Sequence, residues 1–85
     1  MELSVVIPVR NEVTNVNPLF SEIYAALEGI VDYEVIFVDD GSDDGTNETL
    51  DQLSEANNRL RVFHHRLSCG QSTAILTGVR AAQAP

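Results

Sequence analysis

The stretch YEVIFVDDGSDDGT, Tyr33–Thr46, decides the fold, because a long apolar run stops there at an acidic turn. Its first eight residues are rich in β-branched and aromatic side chains, which indicates a buried strand. Asp39, Asp40 and Gly41 end this strand with a turn signal, and a helix is predicted to begin near Thr46. Two carboxylates at the end of a buried strand are costly unless they have partners.

The segment before this stretch has a strand and a helix of its own. Leu3–Val9 is an apolar, β-branched run that suits a strand buried on both faces of a parallel sheet and ending near Pro8. The following helix is predicted to have Asn17 as its N-cap, Pro18 as its first residue and Gly29 as its terminator. Apolar residues recur at helical spacing at Leu19, Phe20, Ile23, Ala26, Leu27 and Ile30.

The segment after the acidic turn repeats the alternation. The helix from Thr46 carries Leu50, Leu53 and Ala56, and residues 59–65 alternate as a strand does. A third helix is predicted from about Gln71. It is marked by Ala74, Ile75, Gly78, Val79 and Ala82 and has a small-residue face. The order β-α-β-α-β-α predicts an α/β fold with a parallel sheet and right-handed crossovers.

Two polar segments follow the first two predicted strands. They are PVRNE, Pro8–Glu12, and DDGSDDG, Asp39–Gly45. In open parallel sheets, ligands bind beyond the carboxyl ends of the strands. We therefore expect the two segments to form one site.

Size and composition limit the classes of protein to which the chain can belong. It has 85 residues, 44% of them hydrophobic, and a formal net charge of -8, which predicts one small domain. Only five residues are basic, which argues against nucleic acid as a partner. The single cysteine, Cys69, predicts a reducing compartment and hence a cytoplasmic protein. The sequence shows no signal peptide and no apolar run of the roughly 18 residues that a membrane span needs.

The acidic turn has three interpretations from its residues alone. Asp40, Ser42, Asp44 and Gly45 match the first, third, fifth and sixth positions of a calcium-binding EF-hand loop, with Asp51 at the twelfth. That loop requires a preceding helix, and here a strand is predicted. The second interpretation is structural: residues 43 and 44 precede a helix, where carboxylates favour the positive end of the dipole.

The third interpretation is a nucleotide pocket. A carboxylate at a strand end can accept a hydrogen bond from the N–H of uracil or guanine, or from a ribose hydroxyl. The sequence contains neither GxGxxG nor GxxxxGK[ST], so the dinucleotide-binding fingerprint and the P-loop are both unsupported.

Other reactive side chains are assigned structural positions. His64 and His65 are adjacent in a strand and should point to opposite faces, which disfavours a shared metal. Arg10 lies in the candidate site, and Arg66 follows the third strand. The remaining basic residues, Arg59, Arg61 and Arg80, are predicted on surfaces, and Cys69 is predicted to be a small filler.

Three segments together carry a family resemblance. SVVIPVRNE at 4–12, YEVIFVDDGSDDGT at 33–46 and GQSTAILTGVRAA at 70–82 resemble the inverting family 2 glycosyltransferases with the GT-A fold. The most similar group is the polyprenyl-phosphate group, of the dolichol-phosphate mannosyltransferase type. The resemblance covers essentially the whole chain and implies a Rossmann-like, three-layer β-α-β-α-β-α unit, the N-terminal part of a GT-A fold.

The resemblance also implies an activity and a set of site residues. The family transfers a sugar from a nucleotide-diphosphate donor, linked to UDP or GDP, to an acceptor, here a polyprenyl phosphate. The positions that match its nucleotide-binding residues are Pro8, Val9, Arg10, Asn11, Glu12, Asp39 and Asp40. Gly70 and Gln71 match a stretch that borders the donor site. Ser68 and Cys69 stand where the family often has asparagine and an aromatic residue.

The resemblance further implies parts that would lie beyond residue 85. These are an Asp-x-Asp motif that binds Mg²⁺ or Mn²⁺, an acidic base, an acceptor-binding half and any attachment to the cytoplasmic face of a membrane. Residues 1–85 are thus expected to be an N-terminal nucleotide-binding portion with no catalytic residue and no metal ligand. The alternative is a non-catalytic nucleotide-binding module that self-associates through its open sheet edge.

Overall fold

The computed structural model describes residues 1–84 and contains six elements in the predicted order. These are β1 Leu3–Val9, α1 Val16–Leu27, β2 Tyr33–Asp40, α2 Thr46–Ala56, β3 Leu60–His65 and α3 Gln71–Ala81. The three strands are parallel, and β2 lies between β1 and β3. The prediction of an α/β fold with a parallel sheet is confirmed.

The central strand β2 organises a three-layer core. Every residue of β2 is buried, and successive side chains point to opposite faces of the sheet. Val35 and Phe37 belong to a cluster on one face, with Phe20 of α1 and Leu50 of α2. The opposite face carries a smaller cluster of Ile36, Val38 and Ala74, the last of these from α3. Helices α1 and α2 therefore cover one face, and α3 covers the other.

Helix α3 packs closely on the sheet because it presents small residues. A Cβ atom added at Gly78 would overlap Cγ1 of Val6 and lie 3.3 Å from Cγ2 of Val38. Ala74 and Gly78 are buried, as the predicted small-residue face requires. Ile75 and Val79 of the same helix have exposed side chains.

The predicted start of α1 was wrong by two residues. The helix begins at Val16, with Asn15 rather than Asn17 before it, and Pro18 is its third residue. The earlier start places the Val16 side chain in the core. Pro18 is tolerated there because the first four N–H groups of a helix have no partner within it. Gly29 follows the C-cap with φ +81°, as predicted, and Ile30 lies outside the helix, exposed.

Strand β1 was predicted to be buried on both faces, and this is not observed. It is an edge strand of the described sheet: Leu3 is exposed and most of its other residues are half-buried. Pro8 is acceptable at such a position, since an edge strand can lack one ladder hydrogen bond. The sheet of residues 1–84 thus has two open edges, β1 and β3.

Arg59 and Arg61 are not simple surface residues, contrary to the prediction. Arg59 binds Glu28 and Asp32, each at 3.0 Å, and its guanidinium lies 4.4 Å from the centre of the Tyr33 ring. Arg61 Nη1 lies 2.9 Å from Oε1 of Glu34. These pairs lie at the amino ends of the strands, beside a cavity of about 820 Å³.

The buried Glu34 joins the sheet to the segment after α3. Its Oε2 accepts hydrogen bonds from the Ser4 hydroxyl at 2.6 Å and the Gln83 amide at 2.7 Å. Burial raises the pKa of Glu34, but Ser4, Gln83 and Arg61 together more than offset that effect, so the pKa is lowered. Residues 83 and 84 are therefore held against the starts of β1 and β2. No helix in residues 1–84 is long and apolar enough to cross a membrane.

Candidate functional site

The carboxyl ends of the three strands form one polar edge. Val9 of β1 pairs with Asp39 of β2, and Asp40 pairs with His65 of β3. The loops after β1, β2 and β3 therefore meet at this edge, as the parallel order predicted.

A pocket of about 370 Å³ opens at this edge. It is lined by Pro8, Val9, Arg10, Glu12, Asp40, Ser68, Gly70 and Gln71. Five of the seven predicted site residues thus share one pocket, and Asn11 and Asp39 do not line it. The loop after β3 and the start of α3 supply the other three lining residues.

Asp40 is the most fully bonded residue at the edge. Its Oδ1 accepts from His65 Nδ1 at 2.8 Å and from the Cys69 amide at 2.8 Å. Its Oδ2 accepts from the Ser68 hydroxyl and the Gly70 amide, each at 2.9 Å. A carboxylate has about four lone-pair positions, so protein donors fill all of them.

These donors determine the charge of Asp40. The Cys69 amide, together with His65, Ser68 and Gly70, holds the pKa of the Asp40 carboxyl well below its usual range despite burial. Asp40 is ionised and can only accept, so Nδ1 of His65 carries a proton. The predicted need of this buried acid for partners is met by the loop 67–70 and by β3.

Asp39 faces the opposite side of the sheet. Its Oδ1 accepts from the Ser42 amide at 3.1 Å, and its Oδ2 lies 3.0 Å from His64 Nδ1. His64 Nε2 lies 2.8 Å from Oδ1 of Asp51 in α2. Asp39 therefore fixes the turn after β2 and connects it to α2, on the far side from the pocket.

The two histidines also face opposite sides, as predicted. His64 contacts α2 through Asp51, and His65 contacts α3, with Nε2 2.9 Å from Thr77 Oγ1. The same period-two alternation separates Asp39 from Asp40. The alternation could therefore have been read from the sequence for the two aspartates as well. It explains why Asp39 does not line the pocket.

The loop after β1 is bound to the loop after β2. The Asn11 amide donates to Ser42 Oγ at 2.9 Å, and the Asp43 amide donates to Asn11 Oδ1 at 2.9 Å. The Glu12 amide donates to Thr46 Oγ1 at 3.0 Å. Asn11 has φ +53°, a left-handed conformation that asparagine adopts more readily than most residues. It joins the two loops rather than lining the pocket.

Asp44 lies just before α2 and binds the first residue of that helix, Thr46, as the structural interpretation predicted. Its Oδ1 accepts from the Thr46 amide at 3.0 Å and from the Thr46 hydroxyl, and its Oδ2 accepts from the Val13 amide at 3.4 Å. The Thr46 hydroxyl bond contributes most to lowering the pKa of Asp44. The Asp43 side chain is exposed.

The EF-hand interpretation does not fit this geometry. A strand, not a helix, precedes the loop. The carboxylates of Asp40, Asp44 and Asp51 bind the loop 67–70, the start of α2 and His64 respectively, so they do not converge on one point.

Two residues of the pocket have capacity left for a ligand. Arg10 is exposed and forms no ion pair within residues 1–84. Glu12 is exposed, and its Oε2 accepts from Asn15 Nδ2 at 2.7 Å, while its Oε1 has no hydrogen-bond partner among residues 1–84. The pocket therefore offers one cation and one carboxylate oxygen.

The contacts of the loop 67–70 with Asp40 were not predicted, although the family resemblance placed Gly70 and Gln71 beside the donor site. Cys69 is exposed rather than a filler, and its backbone amide, not its thiol, binds Asp40. The residue pattern itself indicates only that a polar loop follows β3. Its contacts with Asp40 span 28–30 residues, and two of the three come from the backbone, so no local pattern reports them.

Solved structures define the class to which this fold belongs. The mannosyltransferase PcManGT from Pyrobaculum calidifontis, solved in complex with GDP-Man and Mn²⁺, matches with a TM-score of 0.85 and 25% identity. The match covers 96% of this chain and 24% of that one. The three parallel strands and their helices are the N-terminal part of a GT-A, Rossmann-like fold.

Sequence comparison identifies the family. The profile of "Glycosyl transferase family 2" matches residues 4–85, and the chain belongs to this family. It is 39% identical over 82 residues to a dolichol-phosphate mannosyltransferase of Pyrococcus furiosus, covering 96% of this chain. It is 38% identical over 84 residues to an undecaprenyl-phosphate 4-deoxy-4-formamido-L-arabinose transferase of Aeromonas hydrophila, covering 95% of this chain. The chain spans 23% and 26% of the length of these two relatives.

Proposed function

We propose that residues 1–85 are the donor-nucleotide-binding part of a glycosyltransferase. The whole enzyme transfers a sugar, with inversion, from a UDP- or GDP-linked donor to a polyprenyl phosphate at the cytoplasmic face of a membrane. Support for the acceptor comes from the names of the two relatives, and support for a nucleotide-sugar donor comes from the GDP-Man complex of the mannosyltransferase.

One observation carries the nucleotide-binding part of this proposal. Three loops that are distant in sequence converge on one pocket at the carboxyl edge of a parallel sheet, where nucleotides bind in folds of this type. In the proposal, the guanidinium of Arg10 binds the negatively charged diphosphate, and the carboxylate of Glu12 accepts hydrogen bonds from ribose hydroxyls. Asp40 accepts from a base N–H or a ribose hydroxyl, and Pro8 and Val9 form the floor of the pocket. Asn11 and Asp39 act through the loops that they hold.

A divalent cation, Mg²⁺ or Mn²⁺, belongs to the proposal for the whole enzyme, and its ligands are proposed to lie beyond residue 85. Within residues 1–84, the side chains that most resemble a set of metal ligands are those of Asp40, His65 and Cys69. Their ligand atoms lie within 4.8 Å of one another. Both oxygens of Asp40 already accept from protein donors, and one of these donors is His65 itself. These residues do not fit a resident divalent cation.

The test is to titrate the chain with UDP, GDP and CDP and to monitor its amide signals by NMR. We expect UDP or GDP to shift the amide signals of the residues that line the pocket. Glu12→Gln keeps an acceptor for Asn15 but loses the ionised oxygen, so affinity should fall about three- to tenfold. Glu22→Gln makes the same change on an exposed site of α1 and should leave affinity unchanged. Equal affinities for the two variants would remove Glu12 from the site, and the absence of any nucleotide-induced shift would refute the proposed function.

Self-association through an open sheet edge is the second candidate. It is favoured by the unpaired edges of β1 and β3 and by three exposed apolar side chains of α3, at Ile75, Leu76 and Val79. Sedimentation equilibrium tests it directly. An apparent molecular mass that rises with protein concentration supports self-association. A monomeric mass across the whole concentration range excludes self-association.

A further inference from the structure

We propose that, in the free chain, the Ser68 hydroxyl occupies the hydrogen-bonding position on Asp40 that a nucleotide uses. The hydroxyl leaves this position when an N–H or O–H group of the nucleotide binds there. This inference rests on the proposed function and deepens it by naming a residue that limits affinity.

The two oxygens of Asp40 differ in their surroundings. Oδ1 is bound by His65 and the Cys69 amide, and neither of these residues lines the pocket. Oδ2 is bound by Ser68 and Gly70, and both of these residues line the pocket. Oδ2 is therefore the oxygen that a ligand in the pocket can approach, and it already has two donors.

The Ser68 hydroxyl is the donor that can leave at the lowest cost. The Gly70 amide is fixed, because Gly70 precedes α3 and its carbonyl accepts the Ala74 amide at 3.0 Å. The His65 ring is held between Asp40 and Thr77. Ser68 is exposed, and its hydroxyl moves away by rotation about one side-chain bond.

The backbone of Ser68 stays in place during this exchange. Gly41 packs against it so closely that a Cβ atom at position 41 would lie 2.6 Å from the Ser68 nitrogen and 2.9 Å from the Leu67 carbonyl carbon. The rearrangement is thus confined to the Ser68 side chain, and the pocket keeps its shape.

The exchange replaces one donor to a carboxylate by another. A ligand must therefore displace a charge-assisted hydrogen bond before it gains its own, and this reduces the net affinity. The incoming donor is a base N–H or a ribose hydroxyl, since both donate to a carboxylate.

The test compares Ser68→Ala with the wild-type chain in calorimetric titrations with UDP and GDP. We expect the variant to bind the nucleotide about three- to tenfold more tightly, because Oδ2 is already free of the hydroxyl. Ser68→Thr keeps the hydroxyl and should bind as the wild type does. Ser21→Ala makes the same change on an exposed part of α1 and should have no effect.

Nucleotide analogues identify the incoming donor. Methylation at N3 of uracil removes its only base N–H. For guanine, methylation at N1 removes the ring N–H and inosine diphosphate lacks the amino group, while 2′- or 3′-deoxy nucleotides lack a ribose hydroxyl. The gain in affinity of Ser68→Ala over the wild type should vanish with one kind of analogue. The group that this analogue lacks is then the one that donates to Asp40. A gain that persists with every analogue, or unchanged or weaker binding of UDP and GDP by Ser68→Ala, overturns the inference while leaving nucleotide binding intact. Failure of both the wild type and the variant to bind any nucleotide would instead refute the proposed function and the inference with it.

Discussion

Gly41 and Ser68 are in backbone contact, with no room for a side chain at position 41. A Cβ atom there would lie 2.6 Å from the Ser68 nitrogen, and Gly41 has φ +76°, which disfavours residues with a side chain. The contact joins the loop after β2 to the loop after β3, and the candidate pocket opens beside it.

Gly41→Ala should therefore destabilise the domain by about 2–4 kcal/mol, because left-handed strain and a backbone clash act together. Gly29→Ala is the matched control, since Gly29 has φ +81° but nothing within 4 Å of the added atom. Gly29→Ala should lower the free energy of unfolding by only about 1 kcal/mol, from left-handed strain alone. Urea denaturation measures both changes in the free energy of unfolding. Equal losses for the two variants would mean that the contact with Ser68 contributes nothing.

Gly78→Ala should be destabilising although alanine is the better helix former. The new methyl group would overlap Cγ1 of Val6, and overpacking of this kind costs about 1–3 kcal/mol. In a Val6→Ala background the overlap is removed, and the substitution should stabilise by up to about 1 kcal/mol through helix propensity. The double-mutant cycle is measured by denaturant unfolding. The same effect in both backgrounds would contradict close packing of α3 on β1.

Asp40→Asn should lower the free energy of unfolding by about 3 kcal/mol at pH 7. The NH2 group of the asparagine would face at least one of the four protein donors that now bind Asp40. Asp43→Asn, an exposed neighbour, should change stability by less than about 0.5 kcal/mol. The pKa of Asp40 is lowered in the folded state, so the contribution of the ionised form is complete above the unfolded-state pKa of about 3.9.

That contribution of Asp40 declines as the pH falls from about 4 toward the folded-state pKa. Urea unfolding at pH 7 and pH 3 should thus show a smaller difference between the wild type and Asp40→Asn at pH 3. A difference that is the same at both pH values would argue against an ionised, fully bonded Asp40.

His64 should titrate above its ordinary value of about 6.5, which NMR of its ring signals can measure. Burial lowers the pKa of His64, but hydrogen bonds to Asp51 and then to Asp39 outweigh that effect and raise it. Since the folded-state pKa lies above the unfolded one, the stabilisation is complete below about pH 6.5 and is lost as the pH rises through the folded-state pKa.

Two substitutions in α2 test the cause of the raised pKa of His64. Asp51→Asn removes the carboxylate that contributes most to raising it, so the midpoint of the His64 titration should fall. Glu55→Gln neutralises another exposed acid of α2 and should leave the midpoint unchanged. An unaltered midpoint in Asp51→Asn would show that the contact at Nε2 is absent in solution.

The sequence by itself determined the six elements, the parallel sheet and the edge at which the polar loops meet. Hydrophobic periodicity defines strands and helices locally, and a parallel β-α-β order brings the carboxyl ends of strands together. For that reason the sequence alone assigns Pro8, Arg10, Glu12 and Asp40 to one edge of the sheet. The errors at Asn17 and in β1 arose because core packing of Val16 and the position of a strand in its sheet are not local properties.

Only the tertiary structure decided what the acidic turn meets. Asp39 and Asp40 are adjacent in sequence, but alternation along β2 sends one to His64 and α2 and the other to His65 and the loop 67–70. Two of the four donors to Asp40 are backbone amides, which every residue except proline carries, so residue identity does not reveal them. The packing of Gly41 against Ser68 brought these donors into position, and this contact links segments 27 residues apart in the chain.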